Sequence, residues 1–246
     1  MLATSLPSAL FMADTCLVLS QRNAEWCGHG PVLEQDIAIT NITLDLVGQS
    51  RLFYQYAAEI MNATEGTNHT EDSLAFHRDE RAFKNLLIGE LPKGDWAHTI
   101  LRQFLFSSYQ ELLFEKWQAG NDERLAAIAE KSLKEIRYHI KWSSEWVIRL
   151  GDGTEESKTR MNQAIQALWP YTGEFFESTA GDPVEMSALK QPWTSRVASI
   201  FEEATLSFPA DCFMQTGGKT GKHTEHLGFM LAEMQYLQRA YPNATW

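Results

Sequence analysis

Apolar residues recur at helical spacing along most of the chain, whereas the strict alternation that marks a half-buried strand never persists. Residues that cap helices, such as Asp95 and Asn121 or Asp122, stand where several of these patterns begin. The pattern predicts long helices over about 8–22, 31–61, 95–120, 121–151 and 154–178. Shorter helices are expected near 73–88, 193–206 and 224–240.

The predicted helices differ in how their apolar residues are distributed. On the fourth, one face collects Leu125, Ile128, Ser132, Ile136, His139, Ser143, Trp146 and Leu150. The second helix is apolar almost all round, which predicts a buried central helix. Short connections between long helices favour antiparallel neighbours. We therefore expect an all-α, up-down helical bundle as a single domain over 1–246, with its core over about 8–178 and additional C-terminal helices over about 179–246.

Composition and charge exclude several classes of protein. The 246 residues are 44% hydrophobic and carry a formal net charge of −11, which argues against binding nucleic acid or an anionic membrane, since both depend on clustered cations. The 3 cysteines include no CxxC pair, so neither a disulfide framework nor a thiolate zinc site is encoded. The N-terminus lacks the basic region of a signal peptide, and no apolar run reaches the roughly 18 residues of a membrane span. We expect a cytoplasmic protein.

Long helices with acidic residues raise the question of a carboxylate-bridged di-iron site, which requires Glu-x-x-His on two helices. The sequence contains no Glu-x-x-His. The second helix offers Asp45 with Gly48 in the place of the imidazole, and the fourth offers Glu135 with Tyr138 there and His139 one residue later. These five residues are the candidate degenerate metal positions, and we predict that the chain binds no metal and has no catalytic residues.

The same residues also have a structural interpretation. Asp45 and Glu135 are then buried or half-buried polar groups that are held by partners such as Arg51, Arg137 or Tyr138, because an unpaired buried carboxylate is costly. Tyr138 and His139 are then ordinary core or interface residues.

A glycine-rich turn precedes the last predicted helix. The run Gly217–Thr224 does not match the phosphate-loop pattern and follows no strand, but its backbone N–H groups and side chains could meet an anion or a partner. The candidate contacts are Lys219, Lys222 and His223. A simple turn is the alternative.

Five segments resemble the C subunits of ring-1,2-phenylacetyl-CoA epoxidases, a family within the bacterial multicomponent monooxygenases. They are LVLSQRNAEWCGHGP (17–31), DIAITNITLDLVGQSRLFYQYAAE (36–59), DSLAFHRDERAFKNLL (72–87), KSLKEIRYHIKWSSEW (131–146) and TGGKTGKHTEHLGFMLAEMQYLQRAYP (216–242). The resemblance implies a ferritin-like fold and a partner A subunit whose di-iron centre epoxidises the phenyl ring of phenylacetyl-CoA. It also implies a reductase with flavin, iron–sulfur and NADPH, and small accessory subunits.

The resemblance predicts a non-catalytic structural subunit that holds no cofactor of its own and forms an obligate heterodimer or higher oligomer with the A subunit. Stable interfaces need aromatic anchors, and we expect these to be Trp117, Trp142, Trp146 and Trp169. An active di-iron oxidase with unusual ligands is the alternative.

Overall fold

A computed structural model describes residues 2–179, 182–242 and 244 of the chain. Within these residues the secondary structure consists of α-helices and short 3-10 helices, without a strand, so the predicted all-α class is confirmed. The α-helices are α1 (Leu2–Ala24), α2 (Leu33–Glu65), α3 (Glu71–Phe76), α4 (Trp96–Gln118), α5 (Glu123–Gly151), α6 (Glu155–Leu168), α7 (Lys190–Glu203), α8 (Glu225–Met234) and α9 (Tyr236–Ala240).

The starts of α4 and α5 follow from side-chain caps that the sequence already indicated. The Asp95 carboxylate accepts a hydrogen bond from the His98 backbone N–H at the start of α4, and Asp122 accepts one from Leu125 at the start of α5. Each cap satisfies an amide of the first turn that has no partner within the helix.

Two predicted helices end earlier than expected. α6 stops at Leu168 instead of continuing to about 178, because Pro170 removes a backbone donor and the chain continues as 3-10 turns. The helix expected near 73–88 is limited to α3, and two 3-10 turns follow it. The last predicted helix is divided at Gln235 into α8 and α9.

The chain divides into two compact units. The first comprises residues 1–30, 34–92 and 217–246, and the second comprises residues 31–33 and 93–216. The expectation of a single domain stays a prediction.

In the first unit, α1 and α2 pack closely enough for the Ser50 hydroxyl to donate a hydrogen bond to the backbone carbonyl of Ala13 at 2.9 Å. Further along the chain, the Gln235 amide donates to the backbone carbonyls of Ala75 and Arg78, which fixes the end of α8 to the end of α3 and the segment that follows it. The core of this unit is mainly aliphatic and aromatic, and includes Met12, Ile39, Ile42, Leu46, Phe53, Tyr56 and Ile60.

In the second unit, α4 is the central helix and packs against α5, α6 and α7. It is buried around nearly its whole circumference, with Ile100, Leu101, Phe104, Leu105, Phe106, Tyr109, Leu113, Phe114 and Trp117 in the core. α7 is held to α4 by a hydrogen bond from the Trp193 indole N–H to the Leu105 carbonyl at 3.0 Å. The α5 stripe is buried as predicted from Leu125 to Ser143 and half-buried at Trp146 and Leu150.

The expectation that α2 is a buried central helix is wrong for one of its faces. Ile37, Leu44 and Val47 are 52%, 62% and 40% exposed. An apolar sequence shows that a residue can be buried, but not what covers it. Among the described helices, neighbouring elements enclose α4 and the middle of α1, where residues 11–20 are all buried.

Candidate functional site

The candidate metal positions on α2 do not point into the core. Asp45 is half-buried, and Gly48 is exposed and has no side-chain donor. A fully buried polar residue of this turn is Gln49, the next residue along. Its amide oxygen lies 3.9 Å from the Cys16 sulfur of α1, so amide and thiol groups occupy the interior here.

On α5 the three candidates divide between core and surface. Tyr138 is 47% exposed, Glu135 is half-buried, and the imidazole of His139 is completely buried. The Ser143 hydroxyl donates to the backbone carbonyl of His139 at 2.6 Å, one turn further along. A helix places residues 138 and 139 about 100° apart, and here His139 faces the core while Tyr138 lies at the surface.

These residues do not fit the ligand set of a di-iron centre, because glycine supplies no donor and the phenol at the equivalent α5 position faces outward. Among residues 2–179, 182–242 and 244, no group of three or more His, Cys, Asp or Glu side chains is arranged to hold a metal ion. The status of the five candidates as remnants of a metal centre stays a prediction.

The glycine-rich turn does not bring its three candidate contacts to one exposed place. Lys219 is buried, and its ammonium lies 5.0 Å from the centre of the Phe11 ring. Only Lys222 is exposed. Gly217 and Gly221 have positive φ angles of 134° and 81°, so the glycines are explained by the geometry of a turn.

His223 belongs to a buried network around Glu90, whose side chain is fully enclosed. The Glu90 carboxylate accepts hydrogen bonds from the His223 Nδ1 at 2.7 Å, from the Asn85 amide at 2.7 Å, and from the backbone N–H and hydroxyl of Thr224, both at 2.7 Å. The other ring nitrogen of His223 lies 3.0 Å from the carbonyl of Phe83.

Both ring nitrogens of His223 therefore face acceptors, which requires a doubly protonated imidazolium. Burial acts to lower the pKa of His223, but the hydrogen bond and the charge of Glu90 outweigh it, and the pKa is raised above its ordinary value. The Phe83 carbonyl and the charge of Glu80 act in the same direction. The histidine is thus an internal ion-pair partner of Glu90.

A second buried network, which sequence reasoning missed, is centred on Asp14 of α1. Its carboxylate accepts from the Arg78 guanidinium, from the Tyr54 hydroxyl of α2 and from the Lys84 backbone N–H. Burial, reinforced by the charge of Asp14, raises the pKa of Tyr54 well above its ordinary value, so the phenol is a neutral donor. The Arg78 guanidinium also lies 4.4 Å from the centre of the Phe83 ring. Asp14 is separated from Arg78 by 64 residues, and no local motif signals the pair.

The tryptophans expected as interface anchors lie mostly inside the chain. Trp117, Trp142 and Trp169 are 2%, 8% and 8% exposed, and Trp146 is half-buried. Trp117 stacks on Phe114, and Trp169 packs against Trp193 within the second unit. The expectation is wrong for the three buried tryptophans, because the chain has its own aromatic core for them.

The surface is apolar at other places. Besides α2, the exposed large hydrophobic residues include Phe229, Tyr236, Leu237 and Tyr241 near the C-terminus and Phe213 before the glycine-rich turn. Phe229 borders a cleft of about 470 Å³ in the first unit, together with Arg22, His226 and Met230. None of the helices in the described part of the chain is long and apolar enough to cross a bilayer.

The architecture of the described residues defines an all-α helical protein, and comparison with known proteins gives its family. The family model described as "Phenylacetic acid catabolic protein" matches residues 3–246. The chain belongs to this family, whose members are ferritin-like helical proteins.

Among curated proteins, the chain is similar to the C subunit of 1,2-phenylacetyl-CoA epoxidase from Escherichia coli (strain K12). The two are 49% identical over 245 residues, which cover 96% of this chain and 97% of the relative. The resemblance deduced from the five sequence segments is thereby confirmed.

Proposed function

We propose that this chain is the non-catalytic structural subunit of a phenylacetyl-CoA 1,2-epoxidase of aerobic phenylacetate catabolism, and that it pairs with the A subunit, which holds the di-iron centre. The chain then contributes no cofactor of its own. A reductase containing flavin and iron–sulfur groups supplies electrons from NADPH, and it meets the complex transiently, as do small accessory subunits.

The observation that carries the proposal concerns Asp45 and Gly48 of α2, which have the spacing of Glu-x-x-His but not its ligands. Asp45 is half-buried there, and Gly48 is exposed and cannot ligate a metal. The buried neighbour of Gly48 is Gln49, whose side chain is an amide and not a carboxylate or imidazole. The 49% identity to the Escherichia coli relative, which is by name one component of an epoxidase, supports a role within a complex.

The proposal is tested by expressing this chain together with the A subunit from the same organism and measuring iron on each purified subunit. We expect the two chains to purify together, with iron in the A subunit and none above background in this one. The control is each of the two chains expressed alone and loaded with iron in the same way.

Two results would contradict the proposal. About two irons bound per copy of this chain would favour the alternative, an active di-iron oxidase with unusual ligands. A stable monomer that does not associate with the A subunit would exclude the structural role.

A further inference from the structure

Three cationic residues meet at Gly221 of the glycine-rich turn. Arg81 and Lys84 come from the segment after α3, and Lys222 is the next residue of the turn itself. A methyl group on Gly221 would lie 2.5 Å from the Arg81 carbonyl oxygen and 2.6 Å from the Lys84 ammonium. Arg81, Lys84 and Lys222, the Gly221 cluster, therefore bring positive charge to one place from two segments that are far apart in sequence.

The Lys84 ammonium is held against the turn and does not extend freely into solvent. It donates a hydrogen bond to the Arg81 carbonyl at 3.3 Å, and the Lys84 backbone N–H donates to the buried Asp14 carboxylate at 2.7 Å. Gly221 permits this approach because it has no Cβ, and its φ of 81° requires glycine as well. Arg81 and Lys222 are exposed, and Lys84 is half-buried.

Within the part of the chain that the structure describes, none of the three cations of the Gly221 cluster forms an ion pair. The neighbouring carboxylates have other partners. Asp14 pairs with Arg78, Asp79 with Arg239, and Glu90 with His223, while the carboxylate of Glu80 lies beside Gly228 of α8. Like charges that are held close together repel each other, so an anion from outside the chain would stabilise this arrangement.

The chemistry of the turn indicates which anion fits. Its backbone N–H groups are already used, because those of Thr220 and Lys222 donate to the Gly217 carbonyl and that of Gly221 donates to the Gly218 carbonyl. An anion would therefore be bound by side chains, unlike the anion of a phosphate loop. A guanidinium can donate two parallel hydrogen bonds to phosphate, and an ammonium adds a compact charge on a flexible stem. A phosphate monoester, with a charge of about −1.5 to −2 near neutral pH, suits several cations better than a carboxylate does.

We infer that the Gly221 cluster is a binding site for a phosphate or diphosphate group, which the Arg81 guanidinium and the ammonium groups of Lys84 and Lys222 bind. The net charge of −11 favours a small ligand, since the rest of the chain repels an extended polyanion such as nucleic acid. The inference goes beyond the proposed function and does not depend on it, because every residue of the site belongs to this chain.

The test measures the binding of pyrophosphate to the full-length chain by isothermal titration calorimetry at constant ionic strength. Arg81→Gln and Lys222→Gln each remove one charged donor at an exposed position. We expect each variant to bind pyrophosphate about tenfold more weakly than the wild type, since a hydrogen bond to a charged group is lost. The Tm of both variants should stay close to that of the wild type, because neither side chain is part of the core.

The matched control is Lys131→Gln on α5. It removes the same charge from another exposed lysine that has no ion pair among the described residues. We expect it to bind pyrophosphate as the wild type does. Equal weakening in this control would mean that only the overall charge of the chain matters, and it would overturn the inference.

Titration with ADP distinguishes the two sources of the phosphate group. Binding of ADP that depends on Arg81 and Lys222 would assign the site to an organic diphosphate, and such binding of pyrophosphate alone would assign it to the free ion; either result supports the site. Absence of binding of both ligands to the wild type, or equal binding by the wild type and both cluster variants, would overturn the inference. Neither result would affect the proposed function, which is tested by association with the A subunit.

Discussion

At the scale of single residues, His223 shows how a side chain that resembles a ligand is used inside the structure. Its two nitrogens face the Glu90 carboxylate and the Phe83 carbonyl, so the folded state requires the imidazolium form. Because the side chain is 1% exposed, the ion pair exists in an environment with little screening. The histidine holds the turn before α8 against the segment that contains Glu90.

This arrangement predicts a specific dependence of stability on pH. The pKa of His223 is raised on folding, so the folded state binds the proton more tightly, and the stabilisation is complete below about pH 6.5. It is lost as the pH rises through the folded-state pKa. We expect the free energy of unfolding, measured by denaturant titration, to fall as the pH rises from about 6.5 through the folded-state pKa of His223.

The matched variant is His223→Gln, which keeps a hydrogen-bond donor but removes the charge. Removing one partner of a buried ion pair typically costs about 3–5 kcal/mol, so we expect a loss of about 3 kcal/mol at pH 6 and a flatter pH profile. A variant with the same pH profile as the wild type would show that His223 is not the group responsible.

At the scale of elements, the Asp14 network joins three parts of the first unit. Asp14 lies on α1, Tyr54 on α2, and Arg78 follows α3, so one buried carboxylate connects elements that are far apart in sequence. Asp14 is completely buried, and Arg78 is 14% exposed. Removing both charges of such a pair from water costs free energy. Removing only one partner leaves an uncompensated buried charge, which is also destabilising.

We therefore expect Arg78→Leu to lower the free energy of unfolding by about 3–5 kcal/mol, since it leaves a buried charge without its cation. The double variant Asp14→Leu with Arg78→Leu should lose less than the sum of the two single variants. Chemical denaturation of the four proteins measures the coupling. Additive losses would mean that the two side chains act independently.

At the scale of the whole molecule, the net negative charge opposes self-association, whereas the exposed apolar surface favours it. The net charge of −11 keeps isolated chains apart at neutral pH, whereas the sequence pI is about 5.1. As the pH falls toward 5, the net repulsion between chains vanishes, and exposed apolar residues of α2 such as Leu44 are available for nonspecific contacts. We expect light scattering of the isolated chain to rise steeply there.

Leu44→Asp should reduce this association, and Tyr138→Asp serves as the matched control. Equal scattering by the wild type and Leu44→Asp would show that association near the pI uses another surface, such as the exposed aromatics around Phe229.

The sequence by itself determined the helices, because the signals for them are local. Caps such as Asp95 and Asp122 and helix breakers such as Pro170 act within a few residues, and apolar periodicity identified the buried side of α5. It also determined the family, because five long segments of the sequence resemble the members of that family.

Only the tertiary structure decided which apolar residues are covered and which polar residues meet. α2 and α4 are both rich in apolar residues, yet α4 is enclosed while α2 keeps an exposed face, since coverage depends on neighbours that periodicity does not specify. The partners of His223 and Asp14 lie 133 and 64 residues away, and such pairings arise from packing. Only the structure shows that Gly48 is exposed while its neighbour Gln49 is buried, because consecutive residues of a helix differ in direction by about 100°.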